Sequence, residues 1–479
     1  MEQASMTGRE SMKLKARTST RIIAAAAALS LLGGCSIFKG GGHKEKTPVL
    51  GERVPVLTTE NGASVDPGIA TVPVTVPPPE VNPAWPQPGG GPQKAIGDVA
   101  LAAQPTRAWT AKIEGASKEA RLAAAPVVAD GRVYVMDTLA NLHAFDAQTG
   151  RPVWTKQVVL SHADAPELKR PGIPGFFGLK ERKEYKHSLF GGGVSFDNGV
   201  VYATNGLGEV EALDAATGKS IWSVKPGGPL RGAPTVAGGS VYVMSQDNQL
   251  FALNEADGKT EWSASGPLES AGIFGAASPA VGHSTVIAGY SSGDLDAYRY
   301  ENGRVVWQDT LTRTSASTTV GDVTDIDADP IMDDTRVYAI GAGGRMVGYD
   351  LVTGQRLWEI NIAGISTPAL GGDWLFVAAE DGKLYCIQRA TGKVRWVTQL
   401  PHWRVPKKKK DLVFWSGPVL AGGRLVLTNS LGELVFVTVE NGKIQSTIKA
   451  SKDAINLPPV VANNTLYLLS SNGTLSAWR

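Results

Sequence analysis

The chain has 479 residues, with 47 Lys or Arg and 45 Asp or Glu, so its formal net charge is +2 at pH 7. This near balance lacks the basic surplus of a nucleic-acid-binding protein, and we therefore predict no nucleic-acid partner. The two cysteines stand at positions 35 and 386, so the sequence after residue 35 contains no cysteine pair for an internal disulfide.

Residues 1–34 have the features of a bacterial lipoprotein signal peptide. A basic region is followed by an apolar run from Ile22 to Leu32, which is too short to span a bilayer as a mature helix. The run from Leu32 to Cys35 then resembles the lipobox, in which the cysteine thiol is acylated and the chain is cut before it. We predict that Cys35 carries lipid, with palmitate among its acyl chains, and anchors the protein to a membrane.

Two further details bear on this N-terminal region. Met12 is an alternative to Met1 as the start of translation, because it gives a signal of more usual length. Ser36 follows the predicted lipidated cysteine and permits onward transport, which predicts the periplasmic face of the outer membrane as the final location. Residues 35–104 carry many Pro and Gly and few periodic apolar positions, so we predict a semi-extended tether there rather than a domain.

Residues 105–479 contain eight copies of one pattern, spaced 38 to 68 residues apart. A Val-Tyr-Val-like strand, a Gly or Asn turn and a second strand are usually followed by Asp, a Thr-Gly or Asn-Gly turn, and Trp. Alternation of apolar and polar residues within each copy is typical of β-strands. The pattern therefore predicts an all-β fold, an eight-bladed β-propeller of four-stranded antiparallel blades. We interpret the repeated tryptophans as packing residues between blades.

The eighth copy stops before its fourth strand, and the seventh has Ile444 near the place of Trp. A strand with the expected signature, Arg107 to Thr110, precedes the first copy. We predict that this strand completes the eighth blade and closes the ring.

The Asp-x-x-Thr-Gly-x-x-x-Trp pattern is similar to the blade motif of quinoprotein dehydrogenases, which use pyrroloquinoline quinone with calcium. The pattern is a packing element and carries no activity of its own. The chain has no adjacent cysteines of the kind that lie under the quinone in many of those enzymes. Cys386 takes a small-residue position and is predicted to be buried. We therefore predict no catalytic residue, metal or cofactor, with a quinoprotein-type enzyme as the alternative.

Three surface features remain open in the sequence. The acidic run at 322–329 is either a solvated loop or a partner-binding site, because it lacks the Gly and Glu of an EF-hand loop. The run Lys407 to Lys410 is either a solvated loop or a contact for anionic lipid or an acidic partner. The insertion 157–192, with Phe176-Phe177, either contacts a protein or folds back on the ring.

The lipobox, the eight Trp-type blades and the closing strand together resemble the BamB family of propeller lipoproteins from the outer-membrane β-barrel assembly machinery. The resemblance implies a non-enzymatic scaffold rather than an enzyme. It implies binding to the POTRA domains of BamA, association with other subunits of the machinery, and help in delivering nascent outer-membrane proteins. A generic propeller lipoprotein that binds another envelope component is a further alternative.

In that family, two neighbouring inter-blade loops bind the partner. The Asp-x-Asp of one loop corresponds to Asp325 and Asp327, and the Leu-x-Leu-Arg of the other aligns with the segment containing Ala271, Ile273 and Phe274. An apolar residue is kept at Ile273, whereas Phe274 replaces the Arg. We expect a charged rim formed by the two carboxylates beside an apolar contact.

Overall fold

The computed structural model describes residues 63–158, 191–230, 232–268, 277–311 and 324–479. These ranges contain 34 β-strands and two short 3-10 helices, Pro88–Gly90 and Pro406–Lys408. Neither helix is long and apolar enough to cross a membrane. The predicted signal 1–34, Cys35 and Phe176-Phe177 lie outside the described residues, and those assignments stay predictions.

Eight four-stranded antiparallel sheets form the eight predicted blades. In blades 1 to 7 the chain runs from strand 1 to strand 4 through tight hairpins. Blades 1 to 4 comprise β2 (Val127–Ala129), β3 (Arg132–Met136), β4 (Asn141–Asp146) and β5 (Pro152–Gln157); β6 (Val194–Asp197), β7 (Val200–Thr204), β8 (Val210–Asp214) and β9 (Ser220–Val224); β10 (Thr235–Ala237), β11 (Ser240–Met244), β12 (Gln249–Asn254) and β13 (Thr260–Ser265); and β14 (Ala280–Gly282), β15 (Thr285–Gly289), β16 (Asp294–Arg299) and β17 (Val305–Thr310).

The remaining blades follow the same plan, and a two-stranded hairpin, β26 and β27, stands between blades 6 and 7. Blades 5 to 8 and the hairpin comprise β18 (Ile331–Met332), β19 (Arg336–Ile340), β20 (Met346–Asp350) and β21 (Arg356–Ile360); β22 (Ala369–Gly371), β23 (Trp374–Ala378), β24 (Lys383–Gln388) and β25 (Val394–Gln399); β26 (Trp403–Val405) and β27 (Lys410–Leu412); β28 (Trp415–Leu420), β29 (Arg424–Asn429), β30 (Glu433–Thr438) and β31 (Ile444–Lys449); and β32 (Val460–Ala462), β33 (Thr465–Leu469), β34 (Thr474–Trp478) and β1 (Arg107–Lys112).

The closing strand is confirmed. β1 pairs with β34 in an antiparallel ladder that places Thr110 opposite Ser476 and Lys112 opposite Thr474. Blade 8 therefore takes three strands from the end of the sequence and its outermost strand from a point before blade 1. Pairing of β1 removes an open sheet edge, a feature that otherwise promotes aggregation.

Antiparallel connection gives the ring two distinct faces. The strand 1–2 and strand 3–4 hairpins lie at one end of each sheet, which we call the turn face. The strand 2–3 hairpins and the connections between blades lie at the other end, which we call the loop face. The core lies between blades, because each sheet is covered on both sides by its neighbours; one buried cluster joins Tyr134 and Leu142 of blade 1 to Val201 and Leu213 of blade 2.

Seven tryptophans join consecutive blades, as the repeat predicts. Each indole Nε1–H donates to a main-chain carbonyl of the next blade at 2.8–3.1 Å. The donor and acceptor pairs are Trp109 and Ala147, Trp154 and Ala215, Trp222 and Glu255, Trp262 and Tyr300, Trp307 and Leu351, Trp358 and Arg389, and Trp396 and Val439.

The glycine of the strand 3–4 turn in the next blade, which is a Thr-Gly, Asp-Gly or Asn-Gly turn, lies directly against each indole. Gly354 adopts a φ of +69°, and a Cβ added to it would stand 2.4 Å from Cγ of Trp307. A side chain there would both strain the backbone and displace the ring. The turn glycine of one blade and the tryptophan of the preceding blade therefore form a single packing contact that recurs around the ring.

The junction between blades 7 and 8 is built differently. Ser446 occupies the register position of Trp, opposite Phe436, which replaces the small residue of other blades. The Arg424 guanidinium lies 4.1 Å from the centre of the Phe436 ring. From blade 8, Arg107 stacks over Trp478 and donates to the Ala450 carbonyl at 2.7 Å. Each arginine–aromatic contact lies within a single blade, and the hydrogen bond from Arg107 to Ala450 O crosses the junction that lacks a tryptophan.

The tether prediction is wrong for residues 63–104. Residues 63–104 belong to the same compact unit as the propeller, and Trp85 in this segment is 5% exposed. Its main chain forms hydrogen bonds with strands of the propeller blades. Trp85, for example, exchanges two main-chain hydrogen bonds with Val128 of blade 1, at 2.7 and 2.9 Å. Proline and glycine suit such irregular pairing, which has no helical or strand-like apolar period for sequence analysis to detect.

This segment contacts every blade. Seven of its contacts are hydrogen bonds to the first strand of a blade or to the following hairpin, all on the turn face. The pairs are Asn82 with Val461 of blade 8, Trp85 with Val128 of blade 1, Pro86 with Phe196 of blade 2, Gln87 with Val236 of blade 3, Pro92 with Val281 of blade 4, Gln93 with Met332 of blade 5 and Val99 with Leu420 of blade 7. In blade 6, the contact is with the outer strand, where Asp66 N–H donates to Val394 O at 2.9 Å. Residues 63–104 therefore occupy the part of the turn face formed by the first strands, whereas the strand 3–4 turns stay exposed at residues such as Arg151 and Lys219.

Candidate functional site

The loop that carries Asp325 and Asp327 lies on the loop face, between β17 and β18. Its main chain is pinned on both sides. Ile326 N–H donates to Tyr290 O of blade 4 at 3.2 Å, and Ala342 N–H of blade 5 donates to Asp325 O at 2.9 Å. The loop therefore has a defined position over the junction of blades 4 and 5.

Carboxylate oxygens of both aspartates of the expected rim are buried, namely Oδ1 of Asp325 and both oxygens of Asp327. Asp325 is 1% exposed, between the packed residues Ile326 and Thr324, whereas Asp327 is half-buried. The expectation of an exposed charged rim is therefore wrong, because both carboxylate oxygens of Asp327 are covered although its side chain is half-buried as a whole, and Asp325 is buried entirely. The physical reason is the hydrogen bond from Ala342 N–H to the Asp325 carbonyl, which holds this end of the loop in the junction between blades 4 and 5.

Asp329, the last member of the acidic run, has a structural partner. Its Oδ1 accepts the Ser278 N–H at 2.7 Å. Burial raises the pKa of Asp329, while the nearby Lys94 ammonium opposes that rise. Lys94 is itself buried and donates to Thr235 Oγ1 at 3.0 Å; burial lowers its pKa to about 8, against the influence of Asp329. Lys94 thus joins the segment 63–104 to blade 3 through Thr235, and Asp329 joins the connection before blade 5 to Ser278 before blade 4.

Sequence reasoning missed Lys94, because a lone lysine in a Pro/Gly-rich run carries no pattern. The apolar half of the predicted site, Ala271, Ile273 and Phe274, lies outside the described residues. At the edge of that gap, the Leu268 side chain is 77% exposed and Ala277 is buried. The pairing of this loop with Asp327 therefore stays a prediction.

Groups with catalytic potential are separated from one another. Cys386 is fully buried opposite Trp396, and burial raises the pKa of its thiol, which disfavours the nucleophilic thiolate. His143 contacts the Asp137 carboxylate at 2.9 Å on blade 1, where Asp137 also accepts the Leu139 and Asn141 N–H groups of its own hairpin. Among the residues that the structure describes, no group of three or more His, Cys, Asp or Glu is placed to hold a metal ion.

Comparison with known proteins identifies relatives of the whole propeller. The family profile described as "Outer membrane protein assembly factor BamB" matches residues 96–171 and 177–398, more than half of the chain. The BamB of Yersinia pestis is 24% identical over 380 residues, which cover 78% of this chain and 88% of that protein. The BamB of Escherichia coli K12 is 25% identical over 328 residues, which cover 58% of this chain and 81% of that protein.

Solved structures share the fold. The crystal structure of BamB from Moraxella catarrhalis superposes with a TM-score of 0.62 at 20% identity, covering 78% of this chain and all of that one. A quinohemoprotein alcohol dehydrogenase from Comamonas testosteroni also gives a TM-score of 0.62, at 15% identity, covering 83% of this chain and 80% of that one. Likeness at these identities establishes the propeller architecture, and the profile match establishes the family. The chain belongs to the family of the outer membrane protein assembly factor BamB.

Proposed function

We propose that this protein is a non-enzymatic scaffold of the outer-membrane β-barrel assembly complex. It is held at the periplasmic face of the outer membrane by lipid on Cys35. The observation that carries this function is membership of the BamB family over more than half of the sequence. The likeness to dehydrogenases concerns the fold alone and supports no catalytic reading.

The partner site belongs to the loop face. On the turn face, residues 63–104 already occupy the first strands of seven blades, so a protein partner docking over those strands would have to displace these hydrogen bonds. The loop face presents connections of different lengths on a rigid ring, an arrangement that suits recognition. We propose that POTRA domains of BamA bind there, through Asp327 and the loop containing Ile273.

A binding measurement with the soluble POTRA domains tests this proposal. If Asp327 pairs with a partner cation that becomes buried on binding, Asp327→Asn should weaken affinity by about 2–5 kcal/mol, and by much less if the pair remains exposed. Ile273→Asp should also weaken affinity, because it places a charge in the apolar contact. Co-purification of BamA with the wild type from detergent-solubilised envelopes is the accompanying test in cells.

Asp334→Asn is the matched control, since it makes the same change on the turn face at a side chain that is 96% exposed. It should bind as the wild type does. If both Asp327→Asn and Ile273→Asp bind with wild-type affinity, these residues are not part of the partner site, and the contact lies elsewhere on the loop face. Absence of BamA among co-purified proteins would favour a propeller that binds another envelope component.

A further inference from the structure

The hairpin of β26 and β27 carries a dense group of cations on the loop face. Arg404 and the run Lys407 to Lys410 are all exposed, and Asp411 is the one carboxylate between positions 404 and 411. Five cations against one anion thus occupy a stretch of eight residues. Among the described residues, none of these five cations forms an ion pair with a carboxylate.

The ring holds this hairpin in a defined position. Trp403 pairs with Leu412, and Val405 pairs with Lys410. At the base, Val413 N–H donates to His402 O at 2.9 Å, and the indole of Trp415 donates to Pro401 O at 3.0 Å. The 3-10 turn Pro406–Lys408 and the left-handed Lys409 then bring the four lysines together at the tip. The cations are therefore presented by a structured element.

A second basic group lies beside the hairpin, on the connection after β31. Both are attached to the turn between β29 and β30. On one side, Ser430 N–H donates to Phe414 O at 2.9 Å; on the other, Ser451 N–H donates to Gly432 O at 3.0 Å. Lys449 and Lys452, which flank Ser451, are exposed. We call the hairpin cations together with Lys449 and Lys452 the blade 7 cationic surface.

A cleft lined by polar and apolar groups, the Asp453 carboxylate among them, adjoins Lys449 and Lys452. It has a volume of about 410 Å³ and lies between blades 7 and 8. Its lining supplies hydroxyl and amide groups from Ser451, Ser470, Asn472 and Thr474. Ammonium and hydroxyl donors of this kind are suitable for a phosphate group.

Apolar side chains are exposed within the same surface. The exposed fractions are 63% for Phe414, 45% for Leu412 and 36% for Val405. Cations interleaved with exposed apolar groups are typical of elements that lie in the interface of an anionic membrane, where lysines meet headgroups and apolar groups enter the acyl boundary. Lysine is depleted in protein–protein interfaces, which favour arginine and aromatic residues. Four successive lysines therefore favour a lipid surface over an acidic protein.

We propose that the blade 7 cationic surface docks on a membrane containing anionic phospholipids. The lysines contact headgroup phosphates, Phe414 and Leu412 enter the interface, and the cleft accepts a headgroup at its edge. This contact lies beyond the proposed protein partner, which uses the connections next to blades 3, 4 and 5. It also differs from a lipid anchor, because it depends on the charge of the membrane.

Flotation with lipid vesicles tests the proposal on the full chain carrying Cys35→Ser, so that no acyl chain at that position contributes. The probes are vesicles of phosphatidylethanolamine with phosphatidylglycerol, and neutral phosphatidylcholine vesicles. The protein should float with the anionic vesicles and be released by salt. Changing Lys407, Lys408, Lys409 and Lys410 to Gln should lower the partition coefficient about tenfold or more, and Phe414→Ser should lower it to a smaller extent.

The matched control removes four exposed cations from the turn face, through Arg151→Gln, Lys219→Gln, Arg304→Gln and Lys443→Gln. It makes the same change in net charge and should float as the parent does. An equal loss in both quadruple variants would overturn the proposal, because net charge alone would then explain binding. Retention on a polyglutamate resin without flotation on anionic vesicles would also overturn it and assign the surface to an acidic polypeptide.

Discussion

Each junction tryptophan acts on the stability of the ring in two ways. It fills the space between two sheets, and its indole N–H satisfies a carbonyl of the following blade. The repeat predicted the first role from the spacing of Trp and Gly. The repeat did not predict the carbonyl that accepts the indole hydrogen bond. Every residue has a main-chain carbonyl, so the residue types in the sequence do not identify the acceptor.

Trp307 offers a direct test, since it is 7% exposed and donates to Leu351 O at 2.9 Å. Trp307→Phe keeps an aromatic ring but leaves the buried carbonyl without this donor. We expect a loss of about 1–3 kcal/mol in the free energy of unfolding, measured by chemical denaturation. Trp403→Phe, on the exposed hairpin, is the control and should change stability little. Equal unfolding midpoints for all three proteins would mean that the junction hydrogen bond contributes nothing measurable.

Lys94 makes stability depend on pH. Burial lowers its pKa from 10.5 to about 8 in the folded protein. Between pH 8 and 10.5 the unfolded chain therefore binds more protons than the folded one, so folding stability rises with pH in this window. Relative to Lys94→Met, the wild type should gain about 3 kcal/mol of unfolding free energy from pH 8 to pH 10.5.

Denaturation curves at several pH values measure this gain. Lys219→Met, at an exposed site, is the control and should follow the wild type across the window. A constant difference in stability between the wild type and Lys94→Met would show that Lys94 does not change its protonation on unfolding.

At the scale of elements, the segment 63–104 shows how composition can mislead. Runs of Pro and Gly without a period are typical of linkers, and this segment has them. Many of its hydrogen bonds, however, come from the main chain, and its side chains add others, such as the amide of Gln87, which pairs with both the N–H and the carbonyl of Val236 at 3.0 and 2.8 Å. Pairing of this kind requires little side-chain pattern and so escapes sequence analysis.

Deletion of residues 63–104 should destabilise the propeller. The tether predicted at 35–104 implied that removing most of it, for example residues 40–95, would leave thermal stability nearly unchanged, and the contacts with eight blades reverse that expectation for the described part. Deletion should expose the apolar groups on the turn face that pack against Val99 and Trp85. We therefore expect the melting temperature to fall by about 4 °C or more. Deletion of 38–60, still predicted to be a tether, is the matched control. Equal melting temperatures for both deletions would contradict this role.

At the scale of the molecule, the sequence predicted eight blades, their strand count and the closure of blade 8 by β1. These features recur, so each copy supports the others. The binding site does not recur, and its prediction was weaker. Asp325 proved to be buried because main-chain contacts to Tyr290 and Ala342 pin its loop. Long-range contacts of single residues, such as Lys94 with Thr235, depend on the closed ring and are invisible in local patterns.

The covered part of the turn face has a consequence for biogenesis. Residues 63–104 are synthesised before any blade, yet Asn82 reaches Val461 across 379 positions of sequence. β1 likewise can pair only after β34, the last strand in the sequence, has been synthesised. Contacts of such separation carry a large loop-closure entropy and form late in folding. A chain interrupted before blade 8 can therefore acquire individual blades but not the covered, closed ring, so completion of translation is a condition for completing the fold.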